Sequence, residues 1–140
     1  MNTNWKTIAR EALAGSESGQ LTFPQAVRML MEAGFDGYAI DFRRRSGTYY
    51  LPSGESVEWP MDHSDKPVAA EFDTTAVKEA IREAQMMVPG FTYRGFCSKV
   101  ADAGCAGYVV SILGKRVLYY GRTGESHTEY FPGAAPAHQS

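Results

Sequence analysis

Residues Leu21–Ser56 read LTFPQAVRMLMEAGFDGYAIDFRRRSGTYYLPSGES, and residues Phe91–Ser126 read FTYRGFCSKVADAGCAGYVVSILGKRVLYYGRTGES. Laid over each other at a spacing of 70 with no gap, the two stretches share ten identities in 36 positions. Average composition would give roughly two. The identities are Thr22/Thr92, Ala33/Ala103, Gly34/Gly104, Gly37/Gly107, Tyr38/Tyr108, Tyr49/Tyr119, Tyr50/Tyr120, Gly54/Gly124, Glu55/Glu125 and Ser56/Ser126. Such self-similarity is the mark of a repeated structural unit. The match extends backwards at a spacing of 72, with Arg10-Glu11-Ala12 over Arg82-Glu83-Ala84.

Each copy reads as two helices followed by three short strands. In the first helix Trp5, Ile8, Ala9 and Ala12 recur at helical spacing, and Val77, Ala80, Ile81, Ala84 and Val88 do so in its counterpart. Asp73, Thr74 or Thr75 can cap that counterpart. Thr22 and Thr92 suit the N-caps of the second helices, and Pro24 is tolerated in a first turn. The stripes expected to be buried are Phe23, Val27, Leu30 and Met31 in one copy, and Tyr93, Phe96, Cys97, Val100 and Ala101 in the other. Gly34 and Gly104 should close these helices in the left-handed conformation, because a strand follows within two or three residues. Alternation then places Tyr38, Ile40 and Phe42 on one face of a strand, and Tyr108, Val110 and Ile112 on its equivalent. Turns are expected at Arg45-Ser46-Gly47 and Gly114-Lys115, with further strands at Thr48–Leu51 and Val117–Tyr120.

A three-stranded unit with two helices buries little alone, so the two copies should share one core. The expected fold is α+β: one pseudo-two-fold domain over residues 1–132, with antiparallel strands covered by four helices. Repeat one spans 3–60 and repeat two spans 73–131, with a connector at 61–72 and a disordered tail at 133–140. Whether the half-sheets join or stack is open.

The chain has 140 residues, 44% hydrophobic and 21% charged, with a net charge of −2. That balance creates no global field for nucleic acid or anionic membrane. No apolar run approaches the ~20 residues of a membrane span, and the N-terminus carries no secretory pattern. Two cysteines make no disulfide framework. A cytoplasmic location follows as an expectation.

The pattern also resembles a known family. Phe23-Pro24, Gly37-Tyr38, Phe96-Cys97, Ala103-Gly104 and Tyr119-Tyr120 with Gly124 are similar to the bacterial family catalogued as domain of unknown function 1398, also labelled phage envelope protein-like. The resemblance covers roughly residues 5–132. It departs at Cys105, where an aliphatic residue is more usual, so Cys105 receives no family role. The resemblance implies no activity, cofactor or ligand; its label points to a prophage connection for some members.

Candidate chemistry is sparse. Cys97 with His127 as base is a conceivable nucleophile pair. Against it, Cys97 falls on an apolar stripe where copy one has Val27, and buried cysteines pack as hydrophobes. His63, His127 and His138 have no metal-ligand spacing, so neither metal nor cofactor is expected. Arg43-Arg44-Arg45 and Lys115-Arg116 put positive charge at equivalent turns, which could touch an anion, although such turns are commonly only solubilising and nucleic acid is disfavoured. Tyr38, Tyr50, Tyr108 and Tyr120, with Arg43 and Arg45, are the ligand or interface candidates. Consecutive residues of a strand face opposite ways, so one of each pair Tyr49-Tyr50 and Tyr119-Tyr120 should face away from the helices. Glu55 and Glu125 should stabilise their turns. Two classes remain: a non-catalytic binding or interaction module, with a protein partner or a second copy, and a small cytosolic enzyme with a site between the repeats.

Overall fold

A computed structural model describes residues 4–61 and 67–131. The tail and much of the connector read from the sequence lie outside these residues. The elements follow in the order α1 (Asn4–Ser18), α2 (Phe23–Glu32), β1 (Gly37–Asp41), β2 (Ser46–Tyr50), β3 (Ser56–Pro60), α3 (Thr74–Met86), α4 (Tyr93–Asp102), β4 (Cys105–Ser111), β5 (Arg116–Gly121) and β6 (Ser126–Tyr130). The strands join into one continuous antiparallel sheet of order β3-β2-β1-β4-β5-β6.

The central pairing answers the question left open about the half-sheets. Strands β1 and β4 lie side by side, with Ala39 opposite Val109 at the centre. Tyr38 pairs with Val110 and Ile40 with Tyr108; Gly37 pairs with Ser111 and Asp41 with Gly107. Each of these contacts is repeated when 70 is added to one partner and subtracted from the other. The flanking backbone bonds match in the same way, Phe42 N–H to Ala106 O and Ile112 N–H to Asp36 O.

Local chemistry sets the helix ends. Thr22 caps α2 through a reciprocal pair, its hydroxyl accepting from Gln25 N–H while the Gln25 side chain accepts from Thr22 N–H. Asp73 caps α3 and Thr92 caps α4 in the single-bond form. Gly34 and Gly104 follow α2 and α4 with φ of +99° and +91°, as expected. The two Gly-Glu-Ser turns are also alike: Ser53 donates to Glu55 and Thr123 to Glu125, each hydroxyl accepting the glutamate's N–H in return.

The helices cover one face of the sheet. Ala26, Val27 and Leu30 of α2, Val77, Ala80 and Ile81 of α3, and Phe96 and Val100 of α4 meet Tyr38, Ile40, Tyr49, Tyr108, Val110, Val117 and Tyr119. Full burial of a side chain such as Leu30 contributes roughly 1.5–3 kcal/mol. Two expected members of the α2 stripe are exposed instead, Phe23 and Met31. Ala26 takes the buried position, because a small side chain lets the helix approach closely, and the Phe23 ring turns to Phe131 edge-on at 5.9 Å. The first strand also ends sooner than the alternation suggested. The Asp41 carboxylate accepts the N–H groups of Arg43 and Arg44, closing a turn that Arg45 completes at φ +58°. Phe42 therefore belongs to the turn rather than the strand, and Ser46-Gly47 belongs to β2. Val88 likewise falls beyond α3, which ends at a left-handed Met87.

Candidate functional site

The buried side of the sheet carries a dense set of hydroxyls and thiols. Tyr38 stacks on Tyr49 at 5.0 Å, Tyr108 lies against Tyr119 at 5.5 Å, and Tyr93 shares a 2.7 Å hydroxyl–hydroxyl bond with Tyr108. Burial pushes the hydroxyls of Tyr38, Tyr49, Tyr93, Tyr108 and Tyr119 well above the ordinary tyrosine range. Tyr38 and Tyr108, named from the sequence as ligand candidates, are therefore core residues at 6% and 4% exposure.

Cys97, expected to be buried, is half-buried on α4 beside this set. Desolvation pushes its thiol up to about 12, against the pull of a Tyr93 hydrogen bond. Cys105 is fully buried, donates to Gly107 O at 3.2 Å and is pushed up to about 11, again chiefly by desolvation. His127 meets Glu129 on its own strand at 2.5 Å, and among the described residues no hydrogen bond joins it to Cys97. Nucleophilic thiols are thiolates, and neither cysteine is one near neutrality. Native protein at pH 8 should therefore resist a thiol reagent that labels the unfolded chain rapidly. Mass spectrometry showing native Cys97 modified as fast as in denaturant would contradict this burial. Cys97→Ser should cost about 1–3 kcal/mol through a desolvated hydroxyl.

Among the described residues no helix covers the other face of the sheet. Tyr50, Val109 and Leu118 are exposed there and Tyr120 is half-buried, so the alternation within each tyrosine pair is as expected. A half-solvated antiparallel sheet is ordinary, and exposure alone does not define a site.

A cleft of about 310 Å³ opens at one end of the central strands, lined by Phe42, Arg43, Arg45, Pro67, Val68 and Arg122. The topology assembles it. Antiparallel pairing sets the end of β1 beside the start of β4, which is also where β5 ends. The β1–β2 turn thus brings Phe42, Arg43 and Arg45 to the place where Arg122 leaves β5. The connector crosses the same end, fastened by Ala69 N–H to Ala101 O, Arg122 Nη1 to Val68 O at 3.1 Å and Asp73 N–H to Ala103 O. Val68, Ala101 and Ala106 form a small apolar cluster below, against which Phe42 and Tyr120 pack. Arg44 points elsewhere, to Glu58 at 3.1 Å. Tyr120 stands close enough to feel Asp41 and Arg43, although desolvation is the main cause of its raised pKa.

Of the candidates named from the sequence, the cleft unites Arg43 and Arg45 and has Tyr120 beside its floor; Tyr50 lies away from it. The basic turns are not brought together, since antiparallel β1 and β4 send Arg43-Arg44-Arg45 and Lys115-Arg116 to opposite ends of the sheet. Arg122 was not singled out by sequence. Its aligned partner is Pro52, so the repeat offers no signal there, and only the β1–β4 register makes it Arg43's neighbour. At the opposite end the positions equivalent to Phe42, Arg43, Arg45 and Arg122 are Ile112, Leu113, Lys115 and Pro52. Of the three cleft arginines, Arg45 alone thus has a charged counterpart at that end.

Chemically, the lining offers permanent positive charge over an apolar floor. Guanidinium groups stay protonated and donate in a planar fork that fits carboxylates and phosphates. Among the described residues no group of three or more His, Cys, Asp and Glu is placed to hold a metal ion, and no helix is long and apolar enough to cross a membrane.

Fold and cleft together define a small α+β protein with one helix-covered sheet. A family model described as "Protein of unknown function (DUF1398)" matches residues 48–129, more than half of the chain, and the chain belongs to that family. No curated protein matches it.

Proposed function

We propose that this protein is a non-catalytic binding module and that its binding site is the arginine-lined cleft, which takes an anionic ligand. One observation carries the reading: a chain of net charge −2 gathers Arg43, Arg45 and Arg122, from two separate segments, around an apolar floor. Like charges collected in one place raise the local potential for an anion. The lining residues bind and orient but do not shuttle protons at neutral pH, because an arginine does not titrate there. The same reading takes the chain as an internal duplication of a helix-helix-three-strand unit, supported by the β1–β4 register. A cytoplasmic location is supported by its two free cysteines.

The test is a thermal-shift series at constant ionic strength, exchanging chloride for phosphate, sulfate or benzoate. A specific anion at 100-fold its Kd stabilises the native state by about 2.7 kcal/mol, a rise of several degrees for a chain this size. Arg43→Gln should abolish the rise without lowering the Tm in chloride. An equal rise in wild type and variant would show that the anions act generally on the surface, and would sink the reading.

A further inference from the structure

We propose that the cleft selects a small organic phosphomonoester whose ester group is a ring-sized apolar body. This rests on the anion-binding reading above and deepens it. The charge count comes first. Arg43 and Arg122 reach the cleft from separate segments, the β1–β2 turn and the end of β5, while Arg45 lines it with an interaction of its own. Arg122 spends one N–H on Val68 O, and a guanidinium has five. Two such groups are matched by a dianion better than by a monocarboxylate, and a phosphomonoester carries between one and a half and two negative charges at neutral pH. Asp41 lies nearby, with its Oδ1 accepting the N–H groups of Arg43 and Arg44.

The floor supplies the second half of the selectivity. Phe42, Pro67 and Val68 add apolar surface to the same lining. A bare oxyanion leaves that surface wet. A ring attached to the phosphate covers it, and the volume of about 310 Å³ is at the small end of ligand pockets, enough for one ring and its phosphate. Covering even part of a ring and its floor should strengthen binding about tenfold or more over the bare ion. The Val68 carbonyl bond to Arg122 ties floor and charge together, so the apolar and the cationic walls are held at a fixed spacing.

The experiment titrates full-length ¹⁵N-labelled protein, at pH 7.5 and constant ionic strength, with phenyl phosphate, inorganic phosphate and benzoate. Amide shifts are read at Phe42, Arg43, Val68 and Arg122. Phenyl phosphate should shift these amides and bind at least about tenfold more tightly than either other probe. Arg43→Gln should weaken phenyl phosphate at least tenfold while the remaining spectrum stays in place; among the described hydrogen bonds Arg43 contributes only its backbone N–H, so the fold should tolerate the change. Arg122→Gln, which also loses the Val68 bond, is the companion variant and should weaken binding at least as much. Inorganic phosphate or benzoate binding as tightly as phenyl phosphate would overturn this inference and leave the anion-binding reading standing. No shift at the cleft with any of the three would overturn both. Release of phenol would overturn the non-catalytic reading and uphold the ligand class.

Discussion

Raising the pH from 8 to 11 should unfold this protein cooperatively, with tyrosinate absorbance at 295 nm and loss of far-UV circular dichroism appearing in one transition. Five tyrosine hydroxyls and two thiols are held neutral by burial under the helices. A neutral acid whose folded-state pKa exceeds its unfolded value keeps its proton longer in the native state. Its stabilising contribution is complete below the unfolded pKa and is lost as pH climbs towards the folded one. The unfolded values are about 8.5–9 for cysteine and about 10 for tyrosine, so the decline starts near pH 9 and steepens above pH 10. Each group that stays protonated in the native state costs about 1.4 kcal/mol per pH unit beyond that point. By pH 11 the tyrosines together lose about 7 kcal/mol and the thiols several more. That is comparable to the whole stability of an ordinary domain, about 5–15 kcal/mol. Cys97→Val should move the midpoint upward, and Tyr50→Phe, which alters an exposed ring, should not. Tyrosines titrating independently around pH 10 with the dichroism intact would refute the packed hydroxyl core.

Much of this architecture was legible in the chain because the two aligned stretches, Leu21–Ser56 and Phe91–Ser126, sample the same pattern twice. A position that is Gly at both 34 and 104 must meet a backbone need, and a Tyr-Tyr pair at both 49–50 and 119–120 must serve two faces of a strand. What that alignment cannot report is anything present in one stretch alone. Pro52 aligned with Arg122 says nothing about a cleft, and the connector has no counterpart at all. Local competition was also hidden. The Asp41 carboxylate outbids strand continuation at Phe42, and close helix approach at Ala26 leaves Phe23 and Met31 outside. The cleft depends on the pairing of β1 with β4, a contact between distant segments. That pairing also decides that the two basic turns face opposite ways.

Replacing Gly104 with alanine should destabilise the protein by several kcal/mol, whereas the same change at Gly34 should cost only about 1–2 kcal/mol. The two glycines occupy equivalent helix ends and nearly equal φ, so the left-handed strain of an alanine is common to both. Their surroundings differ. A Cβ at Gly34 meets nothing within 4 Å. A Cβ at Gly104 would overlap the Glu71 carbonyl and crowd the Phe72 Cα at 2.9 Å, both of them backbone that no rotamer change can move aside. The connector would have to lift, breaking Ala69 N–H to Ala101 O and Asp73 N–H to Ala103 O and uncovering Val68 and Phe72, now 6% and 8% exposed. Exposing those two side chains forfeits about 3–6 kcal/mol at full release, and partial release a fraction of that. Urea titration of the two variants reads the difference directly as a gap between their midpoints. Lifting the connector also displaces Val68 from the cleft floor, so Gly104→Ala should weaken anion binding where Gly34→Ala leaves it intact. Equal destabilisation of the two variants would mean that the connector does not rest on Gly104 in solution, and the cleft would then lose the wall it shares with the connector.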